Sequence, residues 1–71
     1  MSNGTVKWFN AQKGYGFIQP DEGGDNIWFG GRDLDGVAFS ELARGDVVSF
    51  EISRNWQGAC AKRVRREPAH A

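Results

Sequence analysis

Aromatic side chains interleaved with glycine and lysine are the residues of this sequence best suited to chemistry. Nine of the 71 residues are aromatic, and six of these lie between positions 8 and 29: Trp8, Phe9, Tyr15, Phe17, Trp28 and Phe29. A flat exposed ring stacks on an unpaired nucleic-acid base, a contact worth ~1–3 kcal/mol that every base can make. Lys7 and Lys13 lie among these rings and offer charge to phosphates, and Asn10 offers an amide to base edges. The pattern predicts a surface that binds single strands.

Short β-strands must position these rings. The sequence predicts five strands at residues 5–10, 15–19, 26–29, 46–52 and 59–65, because these segments are short, rich in β-branched and aromatic residues, and separated by glycine-rich breaks. Residues 40–45 predict one helical turn that ends at Gly45. Five short strands leave two open edges unless they close, so we expect an all-β fold: a five-stranded antiparallel Greek-key barrel of the OB type.

Alternation along the predicted strands sets the direction of each ring. If Ile18 and Ile27 point inward, Phe17 and Trp28 point outward. Trp8 has the same parity as the inward Val6, so a bulge or a tight coil is required to turn it outward. Gly14 and Gly16 are interpreted as flat shelves beside the rings of Tyr15 and Phe17. The predicted core contains Val6, Ile18, Ile27, Val48, Phe50, Ile52 and Val64, with Phe9 at least partly buried.

Charge supports stacking more than phosphate contact as the source of affinity. Nine Lys and Arg balance nine Asp and Glu, for a net charge of zero, whereas a strongly basic balance is typical of proteins that bind phosphates through many contacts. Basic residues crowd the last predicted strand, and Arg63 is the one we predict to contact the nucleic acid. The other basic residues there have a supporting part at most.

An enzyme is not expected from these residues. The one histidine, His70, is nearly terminal, Cys60 is a single cysteine, and Asp33 and Asp35 lie in a predicted glycine-rich loop. We therefore expect no catalytic residue, no metal and no cofactor. With no long apolar run and no signal-like start, we expect a cytoplasmic location without membrane contact. Residues 1–66 are expected to form one domain and residues 67–71 a disordered tail; a monomer is expected, with a dimer through the aromatic face as the alternative.

Four segments of the sequence resemble the cold-shock domain family. Lys7-Trp8-Phe9-Asn10 and the run from Lys13 to Ile18 match its signature, and residues 45–52 and 58–64 are similar to its fourth and fifth strands. The resemblance implies an OB-type barrel that binds single-stranded RNA and DNA and acts as an RNA chaperone in the stress response, affecting transcription or translation. The rings expected to stack on bases are Trp8, Tyr15, Phe17, Trp28, Phe29 and Phe39.

The middle of the chain departs from the family pattern. Asn26 stands where the family has a stacking Phe, and Trp28 where it has a His; Ala59 replaces a usual Pro. Trp56 has no clear family counterpart and is either an added stacking residue or a loop aromatic without a ligand role. The alternative function is a peptide-binding β-barrel module, since small barrels also hold peptides in aromatic grooves.

Overall fold

The computed structural model describes residues 2–55 and 58–67. The predicted role of Trp56 and the predicted tail beyond Glu67 lie outside the described residues. Within them the chain forms five strands: β1 (Ser2–Asn10), β2 (Tyr15–Pro20), β3 (Ile27–Gly30), β4 (Val47–Asn55) and β5 (Gly58–Arg66). Two short 3-10 helices, Gly31–Asp33 and Phe39–Glu41, lie between β3 and β4.

The strands close into a barrel in the order β1-β2-β3-β5-β4. This confirms the all-β barrel that the strand pattern predicts, and it is consistent with an OB fold. Four of the strand pairings are antiparallel, and β3 and β5 pair in parallel, with Trp28 opposite Cys60. β5 pairs antiparallel with β4 on one side and lies beside β3, with the same direction, on the other.

The core lies where the inward faces of the strands meet. Its buried members are Val6, Ile18, Ile27, Phe29, Leu42, Val48, Phe50, Ala61 and Val64. Leu34, Val37 and Phe39 pack against this core from the connection between β3 and β4, as does Phe9 from β1. The predicted core residues are confirmed, apart from Ile52.

Ile52 is 39% exposed, although the alternation of β4 places it on the face of Val48 and Phe50. The cause is the length of the β1–β4 ladder, which pairs β4 only from Val47 to Phe50. Beyond Phe50 the β4–β5 hairpin extends past the barrel wall, so an inward-facing side chain has no opposite wall to pack against.

The side chains of β5 do not alternate regularly between the two faces of the sheet. Ala61 and Val64 are both buried. They are three positions apart, so a regular strand would place them on opposite faces. A bulge explains this, since Ser49 pairs with Arg65 whereas Glu51 pairs with Lys62. The extra residue lies in β5, and Arg63 adopts a φ of 52° there, which rotates Val64 into the core.

The helical turn predicted over residues 40–45 lies earlier in the chain. The 3-10 helix ends at Glu41, and Gly45 instead occupies a separate turn with a φ of 94°. Gly45 donates its N–H to the carbonyl of Val6, which fixes the entry into β4. Over the parts of the chain that are described, no helix is long and apolar enough to cross a membrane.

Candidate nucleic-acid interface

Strand register places aromatic residues in one row across three strands. Trp8 of β1 pairs with Phe17 of β2, which pairs with Trp28 of β3. Residues directly opposite one another in neighbouring strands point to the same side of the sheet. Because Ile18 and Ile27 are buried, this row points away from the core. The predicted outward direction of Phe17 and Trp28 is confirmed.

A bulge at Lys7 turns Trp8 outward. The register of β1 against β2 shifts between Val6 and Trp8, so that Val6 pairs with Ile18 and Trp8 with Phe17. Val6 is buried and Trp8 is 39% exposed, as the sequence requires of a bulge at this position. Lys7 is the extra residue, and its side chain is exposed beside the first ring of the row.

Four rings form a contiguous group, here called the outer aromatic cluster: Trp8, Tyr15, Phe17 and Trp28. Tyr15 lies at its centre, 5.3 Å from Trp8 and 6.1 Å from Phe17 between ring centroids. Its ring and the indole of Trp28 are near parallel, at 6.5 Å and 18°. Trp28 is 42% exposed. The cluster is a broad, partly exposed apolar surface with flat faces.

Phe29 does not belong to this surface, and the prediction that it stacks on a base is wrong for this structure. Its exposed fraction is 0%, because it follows Trp28 on β3 and points to the opposite side of the sheet. Phe29, Phe9 and Phe39 form an inner aromatic cluster in which Phe39 stacks on Phe9 at 5.9 Å and on Phe29 at 6.1 Å. Phe39 keeps part of its ring exposed, so stacking on this loop residue stays a prediction.

Gly14 and Gly16 have a different purpose from the predicted shelves. A Cβ on Gly16 would lie 2.6 Å from the carbonyl oxygen of Trp8 and 2.8 Å from the ring of Phe29, so the missing side chain makes room inside the barrel. Gly14 has a φ of 75° and forms the β1–β2 turn. Gly30 is the glycine that supports an outer ring, since a Cβ there would lie 2.8 Å from Cη2 of Trp28.

The polar residues predicted for the site lie at the β1–β2 end. Lys7 and Lys13 are exposed. Oδ1 of Asn10 accepts a hydrogen bond from the backbone N–H of Lys13 at 3.0 Å. Asn10 therefore caps the turn, and its amide NH₂ can still donate to a base.

Most basic residues of β5 are already engaged. Arg63 pairs with Glu51 at 3.1 Å and Arg65 with Asp35 at 2.8 Å, and Arg66 donates to the carbonyl of Glu41 at 2.6 Å. The structure thus does not bring Arg63 to the outer aromatic cluster: among the described residues its ion pair is with β4.

Lys62 is the basic residue of β5 that reaches the neighbourhood of the cluster. Its ammonium lies 3.0 Å from Oδ1 of Asp33, and the two side chains are 50% and 6% exposed. The hydrogen bond from Lys62 to Asp33, together with the charge of that carboxylate, raises the pKa of Lys62 above its ordinary value of 10.5. Lys62 also lines a groove of about 340 Å³ with Trp28 and the partly exposed Cys60.

Sequence reasoning missed Gly30, Asp33 and Lys62. Asp33 lies in the segment predicted to be a glycine-rich loop, yet it is buried at 7% exposure. The parallel pairing of β3 with β5 brings these three residues together, and no local pattern in the sequence signals it. In the described part of the chain, no three His, Cys, Asp or Glu side chains are grouped so as to hold a metal ion.

Comparison with known proteins matches this geometry to one family. The family model described as 'Cold-shock' DNA-binding domain matches residues 2–67. The cold shock-like protein CspG of Shewanella violacea is 45% identical, over 90% of this chain and 96% of its own length. A probable cold shock protein A of Mycobacterium tuberculosis is 42% identical, over 92% and 97%.

Cold shock protein CspC of Bacillus subtilis is 41% identical, over 93% of this chain and 98% of its own length. A solved structure titled "drosophila Unr CSD456" superposes with a TM-score of 0.77 at 22% identity, covering 94% of this chain and 26% of that one. This last likeness supports the barrel fold.

Proposed function

The chain belongs to the cold-shock domain family of nucleic-acid-binding proteins, and we propose that it binds single-stranded RNA and DNA by stacking unpaired bases on its outer aromatic cluster. The observation that supports this most is the row Trp8–Phe17–Trp28, which crosses three strands with its rings partly exposed. A monomeric protein of this size seldom leaves so much contiguous aromatic surface uncovered without a ligand for it.

The proposed ligand is an unpaired strand of about six or seven nucleotides, within the usual span of one OB barrel. Bases stack on Trp8, Tyr15, Phe17 and Trp28, with Phe39 as a further ring at the loop. Lys7 and Lys13 meet phosphates, and the amide NH₂ of Asn10 reaches a base edge. A duplex is excluded from this surface because paired bases hide their faces.

The proposed biological role is that of an RNA chaperone in the cytoplasm, acting as a monomer without a cofactor. A protein that binds only the open strand shifts a hairpin toward its unpaired form by mass action, and no ATP is consumed. This role requires neither catalysis nor a metal, in keeping with a family of binding proteins rather than enzymes. A peptide-binding module is not favoured, because the relatives over nearly the whole chain are cold shock proteins.

The test is a titration of a labelled seven-nucleotide oligopyrimidine, followed by fluorescence anisotropy, for the parent chain and two variants. Phe17→Ala and Trp28→Ala are each expected to weaken binding by about 1–3 kcal/mol, since each removes one stacking face. Val47→Ala is the matched control: Val47 is 48% exposed on β4, outside the cluster, and its removal should leave affinity unchanged.

A blunt-ended duplex of the same length should not compete for the site. The stacking mechanism is refuted if both ring variants bind the oligonucleotide as tightly as the parent. If the parent prefers the duplex, the proposed single-strand function is wrong. A fluorophore–quencher RNA hairpin then tests the chaperone role: the parent should open it without ATP, and Trp28→Ala should need a higher protein concentration.

A further inference from the structure

The position of the Trp28 ring depends on the absence of a side chain at Gly30, which lies beneath it. Gly30 of β3 pairs with Tyr15 of β2, on the same outward side of the sheet as the pair Phe17–Trp28. A Cβ on Gly30 would lie 2.8 Å from Cη2 and 3.4 Å from Cζ3 of Trp28, so the indole extends over the bare backbone of this residue. There it lies near parallel to the ring of Tyr15 at 6.5 Å. Gly30 is therefore the backbone support of the Trp28 indole.

Asp33 holds this support in place. Its Oδ2 accepts a hydrogen bond from the backbone N–H of Gly30 at 2.8 Å. Its Oδ1 pairs with the ammonium of Lys62 at 3.0 Å. Burying a carboxylate is unfavourable unless it is paired and hydrogen-bonded, and at 7% exposure both oxygens of Asp33 have such a partner. The carboxylate thus joins the end of β3 to β5.

Few backbone pairs join β5 to β3 and to the segment that follows β3, a junction here called the β3–β5 seam. The β3–β5 ladder has one paired position in the described residues, Trp28 with Cys60. The next link along the seam is the isolated bridge between Leu34 and Val64. The pair Asp33–Lys62 lies between these two links. The backbone beneath Trp28 is consequently fixed by a side chain and not by a continuous ladder.

We propose that Asp33 is a positioning residue for base binding: by holding the N–H of Gly30 and the ammonium of Lys62, it fixes the surface on which the Trp28 indole lies, and so fixes the orientation in which that ring meets a base. This inference rests on the proposed function. Asp33 itself is buried and touches no ligand; it acts through Trp28.

The experiment is a double-mutant cycle on oligopyrimidine affinity with Asp33→Ala, Trp28→Ala and the double variant. Asp33→Ala should weaken binding by about three- to tenfold, part of the effect of one stacked ring. In the Trp28→Ala background the same change should have almost no effect, because the ring that it positions is absent. Asp33→Asn keeps an oxygen for the N–H of Gly30 but places an amide NH₂ against the ammonium of Lys62, so it should recover only part of the affinity lost in Asp33→Ala.

Asp35→Ala is the matched control. Asp35 belongs to the same seam and pairs with Arg65 of β5 at 2.8 Å, so its loss changes the net charge by the same amount and also breaks an ion pair between the loop and β5. It has no contact with Gly30. The oligopyrimidine affinity of Asp35→Ala should stay within about twofold of that of the parent.

Gly30→Ala tests the support beneath the Trp28 ring without removing the buried carboxylate of Asp33. If Asp33→Ala does not fold, Gly30→Ala takes its place in the experiment. Gly30 has an extended backbone, with φ −109° and ψ 171°, which alanine adopts. The added methyl group displaces the indole of Trp28 and should reproduce the loss that depends on Trp28. In protein labelled with 5-fluorotryptophan, the ¹⁹F resonance of Trp28 should shift in Gly30→Ala and Asp33→Ala, while that of Trp8 stays near its parent position.

The proposal is overturned if folded Asp33→Ala binds the oligonucleotide as tightly as the parent. It is also overturned if adding Asp33→Ala to Trp28→Ala lowers affinity as much as adding it to the parent does. A loss of affinity in Asp35→Ala equal to that in Asp33→Ala has the same consequence. An unchanged Trp28 resonance in both Asp33→Ala and Gly30→Ala also overturns it. If the parent chain binds no single strand, the proposed function fails separately, and the ¹⁹F resonances alone decide whether Asp33 positions the ring.

Discussion

At the scale of single residues, two phenylalanines show how little residue type says about role. Phe17 and Phe29 lie on neighbouring strands, and the strand faces send them to opposite sides of the sheet. Phe17 joins the outer aromatic cluster, whereas Phe29 is fully buried among Phe9, Phe39 and the aliphatic core. One ring is available to a ligand and the other stabilises the barrel.

Alanine substitutions should separate these two roles. Phe29→Ala should lower the free energy of unfolding by about 3–5 kcal/mol, because it leaves a cavity in a small core, and in a domain of this size that is a large part of the total. Phe17→Ala should lower it far less, since its ring is already partly exposed. Urea unfolding followed by circular dichroism measures both. Equal losses in the two variants would contradict the assignment of the faces.

At the scale of elements, the seam between β3 and β5 is held by side chains as much as by backbone. Asp33–Lys62 and Asp35–Arg65 lie on either side of the bridge from Leu34 to Val64. Asp35 also donates its backbone N–H to the carbonyl of Val64 at 2.8 Å. The two ion pairs differ in one useful respect, because lysine loses its proton at high pH and arginine does not.

That difference predicts how stability depends on pH. The pKa of Lys62 is raised in the folded protein above its ordinary value of 10.5, so its charge stabilises the fold fully below that pH and ceases to do so as the pH rises through the folded value. The difference in urea midpoint between the parent and Lys62→Met should be constant up to pH 10.5 and shrink above it.

Arg65→Met is the control for that measurement. The guanidinium stays charged over the same range, so the difference between the parent and Arg65→Met should not shrink. A Lys62→Met difference that persists unchanged at high pH would mean that packing of the lysine stem, and not its charge, stabilises the seam.

At the scale of the whole molecule, positive and negative charges are equal in number, and the basic residues of β5 each have a partner close by. The chain has zero net charge, and the basic residues of β5 are paired with carboxylates or a carbonyl of the same barrel. Lys7 and Lys13 are the exposed cations at the β1–β2 end of the proposed interface. Affinity should accordingly depend mainly on stacking and weakly on salt.

The salt dependence of oligonucleotide binding measures this. For two phosphate contacts on a single strand, log K should fall with log salt concentration with a slope of about −1.4. Lys7→Gln should make the slope shallower by about 0.7, the share of one contact. Arg65→Gln should leave it unchanged, because that residue is engaged with Asp35. A parent slope several times steeper would show that the paired cations of β5 release their partners and bind phosphates.

The sequence alone determined the barrel, the strands and most of the outer aromatic cluster, because these follow from local pattern. Alternation gave the directions of Phe17 and Trp28. For Trp8 it left a bulge or a tight coil open, and the structure has a bulge at Lys7. Turn residues such as Gly14 marked the strand ends. Each of these inferences uses residues within a few positions of one another.

Only the tertiary structure decided the rest, because it depends on pairing between distant segments. Ile52 is exposed because β1 ends its pairing with β4 at Phe50, and position 16 has no room for a side chain because the ring of Phe29 lies opposite it. Asp33 is buried because β5 lies parallel to β3 and carries Lys62 to its carboxylate. The energies of burial and ion pairing act through space, so a linear pattern predicts which residues can form a face but not which distant residue will meet it.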